Sequence, residues 1–194
     1  GHFSDDTDNK MAIEIPTSAT KVTKIGSQAF YNRVKVTGLN IQGDGGSLEI
    51  GSEAFRGCDE LHDLNLNKAK ITSLGTGVFG DCRSMTYEFV NGVLKNYATN
   101  GGTKIPAYLF FGCNGQDGHD GTVANKNKCA FTELNIPAQF SEIGDGAFAS
   151  QNDAVIKLKT ITVNSGKAPT CLDNSGETDE YANIKNKKVF DGLI

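Results

Sequence analysis

A six-residue word of apolar and polar positions recurs along the chain. Its clearest copies are IGSQAF, IGSEAF and IGDGAF, which begin at Ile25, Ile50 and Ile143, and two looser copies, LGTGVF and IPAYLF, begin at Leu74 and Ile105. The first, fifth and sixth places are apolar, which is the spacing of one face of a short helical turn. The glycine in the second place predicts a tight turn with positive φ at that point.

A different period follows each word. The segments LNI at residues 39–41, LNL at 64–66 and LNI at 134–136 alternate apolar and polar residues, as a short strand with one buried face does. The same alignment predicts strands at residues 13–15 and 161–163, and an irregular one at 87–89. Each repeat of about 25 residues is therefore predicted to comprise a turn, a short helical turn and a strand.

Repeats of this size can bury their apolar side chains only by stacking on one another. The predicted fold is an α/β solenoid of about six coils. The rings of the repeated words are expected to form one buried column, which contains Phe30, Phe55, Phe79, Phe110 and Phe148. Residues 114–128 are rich in Gly, Asn and Asp and contain almost no apolar residues, so they are predicted to be an inserted loop.

The solenoid pattern covers residues 11–165 and leaves two terminal segments. Residues 1–10 are polar and are expected to be a disordered leader or a remnant of cloning. Residues 166–194 are expected to form an atypical repeat or a cap over the last apolar face, or to lead into further repeats of a longer protein.

The cysteines recur with the word. Cys58, Cys82 and Cys113 each stand three residues after the phenylalanine of a word, which favours a small buried apolar residue over a disulfide framework. Five cysteines cannot all pair within one chain. Cys113 and Cys129 flank the inserted loop and are the pair to expect if any disulfide forms.

Composition narrows the choice of partners. With 38% hydrophobic and 22% charged residues the chain is a soluble globular protein, and its formal net charge of -4 offers no basic face for a nucleic acid. No apolar run approaches the roughly 20 residues of a membrane-spanning helix. No signal-peptide pattern opens the chain, although the first residue is Gly1 rather than Met, so a leader could already have been removed.

These residues resemble the BspA-like leucine-rich repeats of bacterial surface proteins. The fullest match to that pattern is IGSEAFRGCDELHDLNL at residues 50–66, and LNIPAQFSEIGDGAF at residues 134–148 adds the proline that often follows the strand. The departures are the weak fourth strand, Ile105-Pro106 in place of Ile-Gly, and the 114–128 loop. The resemblance implies a leucine-rich-repeat solenoid and an extracellular or cell-surface location.

Candidate chemistry is sparse. His119 lies in the inserted loop beside Asp117 and Asp120, but the loop lacks the paired spacing of zinc ligands and is more simply a flexible loop. His62 is expected to be a solvated surface residue. No nucleophile elbow, phosphate loop or EF-hand is present, so we expect no enzymatic activity, no metal and no cofactor.

The remaining candidate is a binding surface. The polar residues between the strand leucines and isoleucines are predicted to form an outward row, and solenoids use such rows to bind other molecules. This row and the loop give the candidate binding residues Glu14, Asn40, Asn65, Asn135, Thr162 and His119. Simple exposure to water is the alternative explanation for each of them.

The resemblance implies a non-enzymatic module that adheres to a host or neighbouring-cell macromolecule, most often a protein. The alternative is a scaffold or binding domain of a larger secreted enzyme or carbohydrate-binding protein, whose chemistry lies outside these residues. An export signal and any further domain in the full-length gene would separate the two hypotheses.

Overall fold

The computed structural model describes residues 11–15, 22–43, 46–67, 69–113, 131–149, 159–164 and 168–171. It is a solenoid of about five turns, made mostly of strands, with one helix in the described residues. The elements in chain order are β1 (Met11–Ile15), β2 (Lys24–Ile25), β3 (Val36–Gly43), β4 (Ser47–Ile50), β5 (Asp63–Asn67), β6 (Lys70–Leu74), α1 (Tyr87–Thr99), β7 (Lys104–Ile105), β8 (Glu133–Ile136), β9 (Glu142–Ile143), β10 (Thr160–Val163) and β11 (Thr170–Cys171).

Every strand pair in the described part of the chain is parallel, and the pairs form two ladders on different sides of the solenoid. The first ladder contains the three-stranded sheet β1-β3-β5 and the pair β8-β10, and these are the strands that the alternating pattern predicted. The second ladder contains the sheets β2-β4-β6 and β7-β9-β11. The alternating pattern does not predict the second ladder, whose strands β2, β4, β6, β7 and β9 each end at the first residue of a word.

The column of phenylalanine rings is confirmed. Neighbouring rings from Phe30 to Phe148 lie nearly parallel, with centroids 5.2, 5.6, 5.6 and 5.8 Å apart. Phe55, Phe79, Phe110 and Phe148 are fully buried, and Phe30 at the end of the column is half-buried. The solenoid therefore fills its interior with its own repeated side chains.

The words themselves fold as consecutive turns, which differs from the predicted short helical turns. Alternate N–H groups point to the next coil: the Phe30 N–H donates to Ala54 O at 2.7 Å, and the Phe55 N–H donates to Val78 O at 2.9 Å. The N–H groups between them close turns on their own coil. The fourth residue of every word has a positive φ, and these residues are Gln28, Glu53, Gly77, Tyr108 and Gly146.

The prediction of a positive φ at the second-place glycine was wrong. Glycine is required at this place because the coils lie too close together for a side chain. A Cβ on Gly51 would lie 2.5 Å from the Ser27 nitrogen, and one on Gly75 would lie 2.4 Å from the Ser52 nitrogen. Gly26, in the first described coil, has nothing within 4 Å of the same position. The glycine thus lets one coil approach the backbone of the preceding one.

The predicted irregular strand at 87–89 was also wrong, because this segment begins α1. Thr86 caps the helix, its Oγ accepting a hydrogen bond from the Phe89 N–H at 3.2 Å. The apolar face of α1, which contains Phe89, Val90, Val93, Leu94 and Ala98, packs into the core. The helix takes the place of strands in the fourth coil, between β6 and β7 along the chain.

The cysteine prediction is confirmed for the described residues. Cys58, Cys82 and Cys113 are buried free thiols, and each Sγ lies 2.9 to 3.2 Å from the backbone oxygen of a phenylalanine in the preceding coil. The proposed partner of Cys113, Cys129, lies outside the described residues, as do the 114–128 loop with His119 and residues 1–10 and 172–194.

Candidate binding face

The strands bring the first three members of the predicted polar row into register. Glu14 is paired with Asn40, and Asn40 with Asn65, across β1, β3 and β5. Glu14 and Asn65 are exposed, whereas Asn40 is half-buried and its Oδ1 is buried with no hydrogen-bond partner among the described residues. Asn135 and Thr162 are paired in the same way across β8 and β10.

The row is not continuous, because α1 stands between β5 and β8. Its backbone hydrogen bonds are internal, so it cannot pair with the strand edges on either side as another strand would. Two asparagines of the helix hydrogen-bond to neighbouring strands instead, Asn96 at β6 of the second ladder and Asn91 at β8 of the first. The Asn96 side chain accepts a hydrogen bond from the Ile71 N–H at 2.8 Å and donates one to Ala69 O at 2.9 Å.

Asn91 contacts β8 with one of its side-chain groups and its own helix with the other. Its Oδ1 accepts a hydrogen bond from the Asn135 N–H at 2.9 Å, and its Nδ2 donates to Tyr87 O at 2.9 Å. The Asn135 side chain in turn donates from Nδ2 to the Tyr87 hydroxyl. Asn135, predicted as a free recognition residue, is therefore held by α1.

Two grooves flank α1, and no pattern in the sequence predicts them. The β5 groove has a volume of about 360 Å³ and is lined by Leu64, Leu66, Glu88, Gly92, Lys95, Asn96, Thr99 and Asn100. The β8 groove has a volume of about 510 Å³ and is lined by Tyr87, Asn91, Lys95, Asn135, Pro137, Ala138, Gln139 and Asn164. The exposed side chain of Lys95 borders both grooves. Together with the row, α1 and these grooves form what we call the helix face.

A signal for α1 was present in the sequence. Apolar residues stand at helical spacing in Phe89, Val90, Val93 and Leu94, and the preceding Thr86 is a preferred capping residue. The alignment of the repeats assigned residues 87–89 to a strand and left the helical spacing of the following residues out of account. The grooves themselves depend on which neighbouring strands the helix separates, and no local pattern contains that information.

Charged side chains elsewhere are used to hold the coils together. Arg56 lies 2.6 Å from Glu53 in its own coil and 3.2 Å from Asp81 in the next, while Arg83 lies 3.2 Å from Asp59. These groups are largely buried, so each charge requires its partner. They are placed for structure rather than for contact with a ligand.

The buried thiols of Cys58 and Cys82 are unsuited to nucleophilic chemistry. Burial raises the pKa of Cys58 to about 12, and burial together with the neighbouring Cys113 thiol raises the pKa of Cys82 well above its usual value. The thiolate is the reactive form of cysteine, and at neutral pH these thiols are protonated. Among the described residues, no group of three or more His, Cys, Asp or Glu residues is placed to hold a metal ion.

Comparison with known proteins gives one clear result. The family model of the BspA type leucine-rich repeat region matches six copies in this chain, at residues 5–115 and 123–171. Searches of curated proteins and of solved structures gave no match. Within the described residues, no helix has the length and hydrophobicity to cross a membrane.

Proposed function

We propose that this chain, which belongs to the BspA-type leucine-rich repeat family, is a non-enzymatic protein-binding module of an exported bacterial cell-surface protein. The family consists of repeat modules that generally bind proteins and are commonly associated with the cell surface. Adhesion to a host or neighbouring-cell protein is the specific function that we propose here. The part of the helix face that we assign to it is the β5 groove, together with Glu14 and Asn65 of the row.

The observation that carries this assignment is the β5 groove. Its floor contains Leu64 and Leu66, and the exposed side chains of Glu88 and Lys95 stand on its rim. An apolar centre inside a charged rim is the usual arrangement of a protein-protein contact. The exposed part of the row, Glu14 and Asn65, extends this surface along the stacked strands.

The direct test is a charge reversal on the rim. Lys95→Glu should weaken adhesion to immobilised extracellular-matrix proteins by about ten-fold or more, because a charged rim affects both encounter and retention of a partner. Lys70→Glu is the matched control, since Lys70 is exposed on the second ladder and undergoes the same change of charge. Circular dichroism should show that both variants are folded.

Equal binding by wild type and Lys95→Glu, with Asn65→Ala also unchanged, would place recognition elsewhere. The inserted loop is then the next surface to test, because loops without core residues commonly carry recognition. Deletion of residues 115–127 should weaken adhesion if that loop contributes. A loss of binding in Lys70→Glu as large as that in Lys95→Glu would indicate a general effect of charge.

The proposed location outside the cell has its own test. The full-length gene should begin with an export signal, and intact cells treated with an added protease should lose the protein. A cytosolic reading frame without a leader would rule out the surface assignment. A catalytic or sugar-binding domain in the same gene would favour the alternative role as a scaffold within a larger secreted protein.

A further inference from the structure

The β8 groove differs in chemistry from the β5 groove. Its lining carries four side-chain amides, one phenol hydroxyl and one ammonium group, contributed by Asn91, Asn135, Gln139, Asn164, Tyr87 and Lys95. None of the described residues that line it is acidic, although the chain has 23 Asp and Glu residues. Its volume of about 510 Å³ lies within the range of ligand sites.

The Tyr87 hydroxyl is already oriented by its neighbours. It accepts a hydrogen bond from Asn135 Nδ2, so its own hydrogen is directed away from that amide and is available to another acceptor. Asn91 fixes the rest of this arrangement, because it holds both the Asn135 N–H and the Tyr87 backbone oxygen. The groove thus contains a donor whose position is set before any ligand binds.

The rim supplies groups of both hydrogen-bonding types. Gln139 and Asn164 are exposed, and each amide can donate and accept. Lys95 is exposed and can only donate. The apolar atoms come from the Tyr87 ring, Pro137 and Ala138, and no described residue that lines the groove has a large aliphatic side chain.

We propose that the β8 groove binds a saccharide unit. Sugar hydroxyls both donate and accept hydrogen bonds, which matches the amides and the oriented phenol, while the C–H face of a sugar ring suits Tyr87 and Pro137. A peptide anchored by an apolar side chain would find a better site in the β5 groove, with its two leucines. The site is separate from the protein contact proposed above, although Lys95 borders both.

The test is binding of the whole chain to immobilised oligosaccharides, with neutral hexose, N-acetylhexosamine and uronate arms. At least one arm should bind at saccharide concentrations of about 1 mM or below. Tyr87→Phe removes the hydroxyl donor and keeps the ring, and Gln139→Ala removes an exposed amide. Each change should weaken saccharide binding by about ten-fold.

Thr99→Ala is the control, because Thr99 is exposed and lines only the β5 groove, so this variant should bind saccharide as wild type does. Gln139→Ala keeps the test informative even if Tyr87→Phe fails to fold. Binding to no arm would overturn the proposal, as would binding that survives both Tyr87→Phe and Gln139→Ala. Protein adhesion by Tyr87→Phe and Gln139→Ala should be unchanged, so failure here is distinguishable from failure of the protein-binding proposal.

Discussion

The first three coils and the coil that carries α1 satisfy their backbone groups in different ways. In the sheets β1-β3-β5 and β2-β4-β6, strand pairs with strand and the polar row points outward. In the fourth coil, α1 satisfies its own backbone, and Asn91 and Asn96 reach sideways to the neighbouring strand edges. The helix thus offers side-chain partners to backbone groups at β6 and β8, and grooves form between it and the strands β5 and β8 that it separates.

What continues unchanged through the interruption is the column of turns. The Phe79 N–H donates to Leu109 O at 3.0 Å, and the Phe110 N–H donates to Ala147 O at 2.8 Å, as in the earlier coils. The fourth coil lacks one of the backbone hydrogen bonds that the second-place glycines donate to the preceding coil elsewhere. The word of the fourth coil has Pro106 where the others have glycine, and proline has no N–H to donate to the preceding coil. β6 and β7 accordingly belong to different sheets.

The largest expected effect tests whether the core is continuous beneath α1. Phe79 stacks between Phe55 and Phe110 and meets the edge of Phe89 in α1 with centroids 5.3 Å apart. Phe79→Ala should therefore lower the free energy of unfolding by about 3 to 5 kcal/mol, measured by urea denaturation. Phe30→Ala is the comparison. Because Phe30 is half-buried at the end of the column, this substitution should lower the free energy of unfolding by less. Equal losses would show that the column is not continuous under α1.

The second prediction tests whether the asparagines of α1 replace a strand. Asn96→Ala leaves the Ile71 N–H and the Ala69 carbonyl without their partner, so the free energy of unfolding should fall by about 1 to 3 kcal/mol. Alanine is itself the better helix former, so any loss comes from the missing hydrogen bonds. Lys95→Ala, one residue away and exposed, should change stability by less than about 0.5 kcal/mol. Amide hydrogen exchange should quicken at Ile71 in Asn96→Ala alone.

The helix-bearing coil also marks the boundary of what the sequence could predict. The phenylalanine column and the buried cysteines were predictable, because each rests on one residue type repeated at one place in the word. The role of Gly51 was not, because it depends on the distance to Ser27 in another coil. The engagement of Asn135 by Tyr87 joins residues far apart in the chain, and the alternating pattern around Asn135 is the same as around Asn65.

The last prediction concerns Cys58, one of the three buried cysteines among the described residues, whose thiol links stability to pH. Burial raises the pKa of Cys58 from 9.0 to about 12, so in the folded protein this thiol stays protonated at pH values where the unfolded chain has lost the proton. The stability that depends on Cys58 is therefore complete below pH 9.0 and is lost as the pH rises toward about 12. Between about pH 10 and 11 the loss should approach about 1.4 kcal/mol per pH unit.

Urea denaturation across this range should show a shallower decline of stability in Cys58→Ala than in wild type. Cys171→Ala, which removes an exposed thiol in β11, should follow the wild-type slope. If the stability of Cys58→Ala declined as steeply as that of wild type, the alkaline loss of stability would not arise from this buried thiol. A shallower slope in Cys171→Ala would instead assign the loss to the exposed thiol in β11.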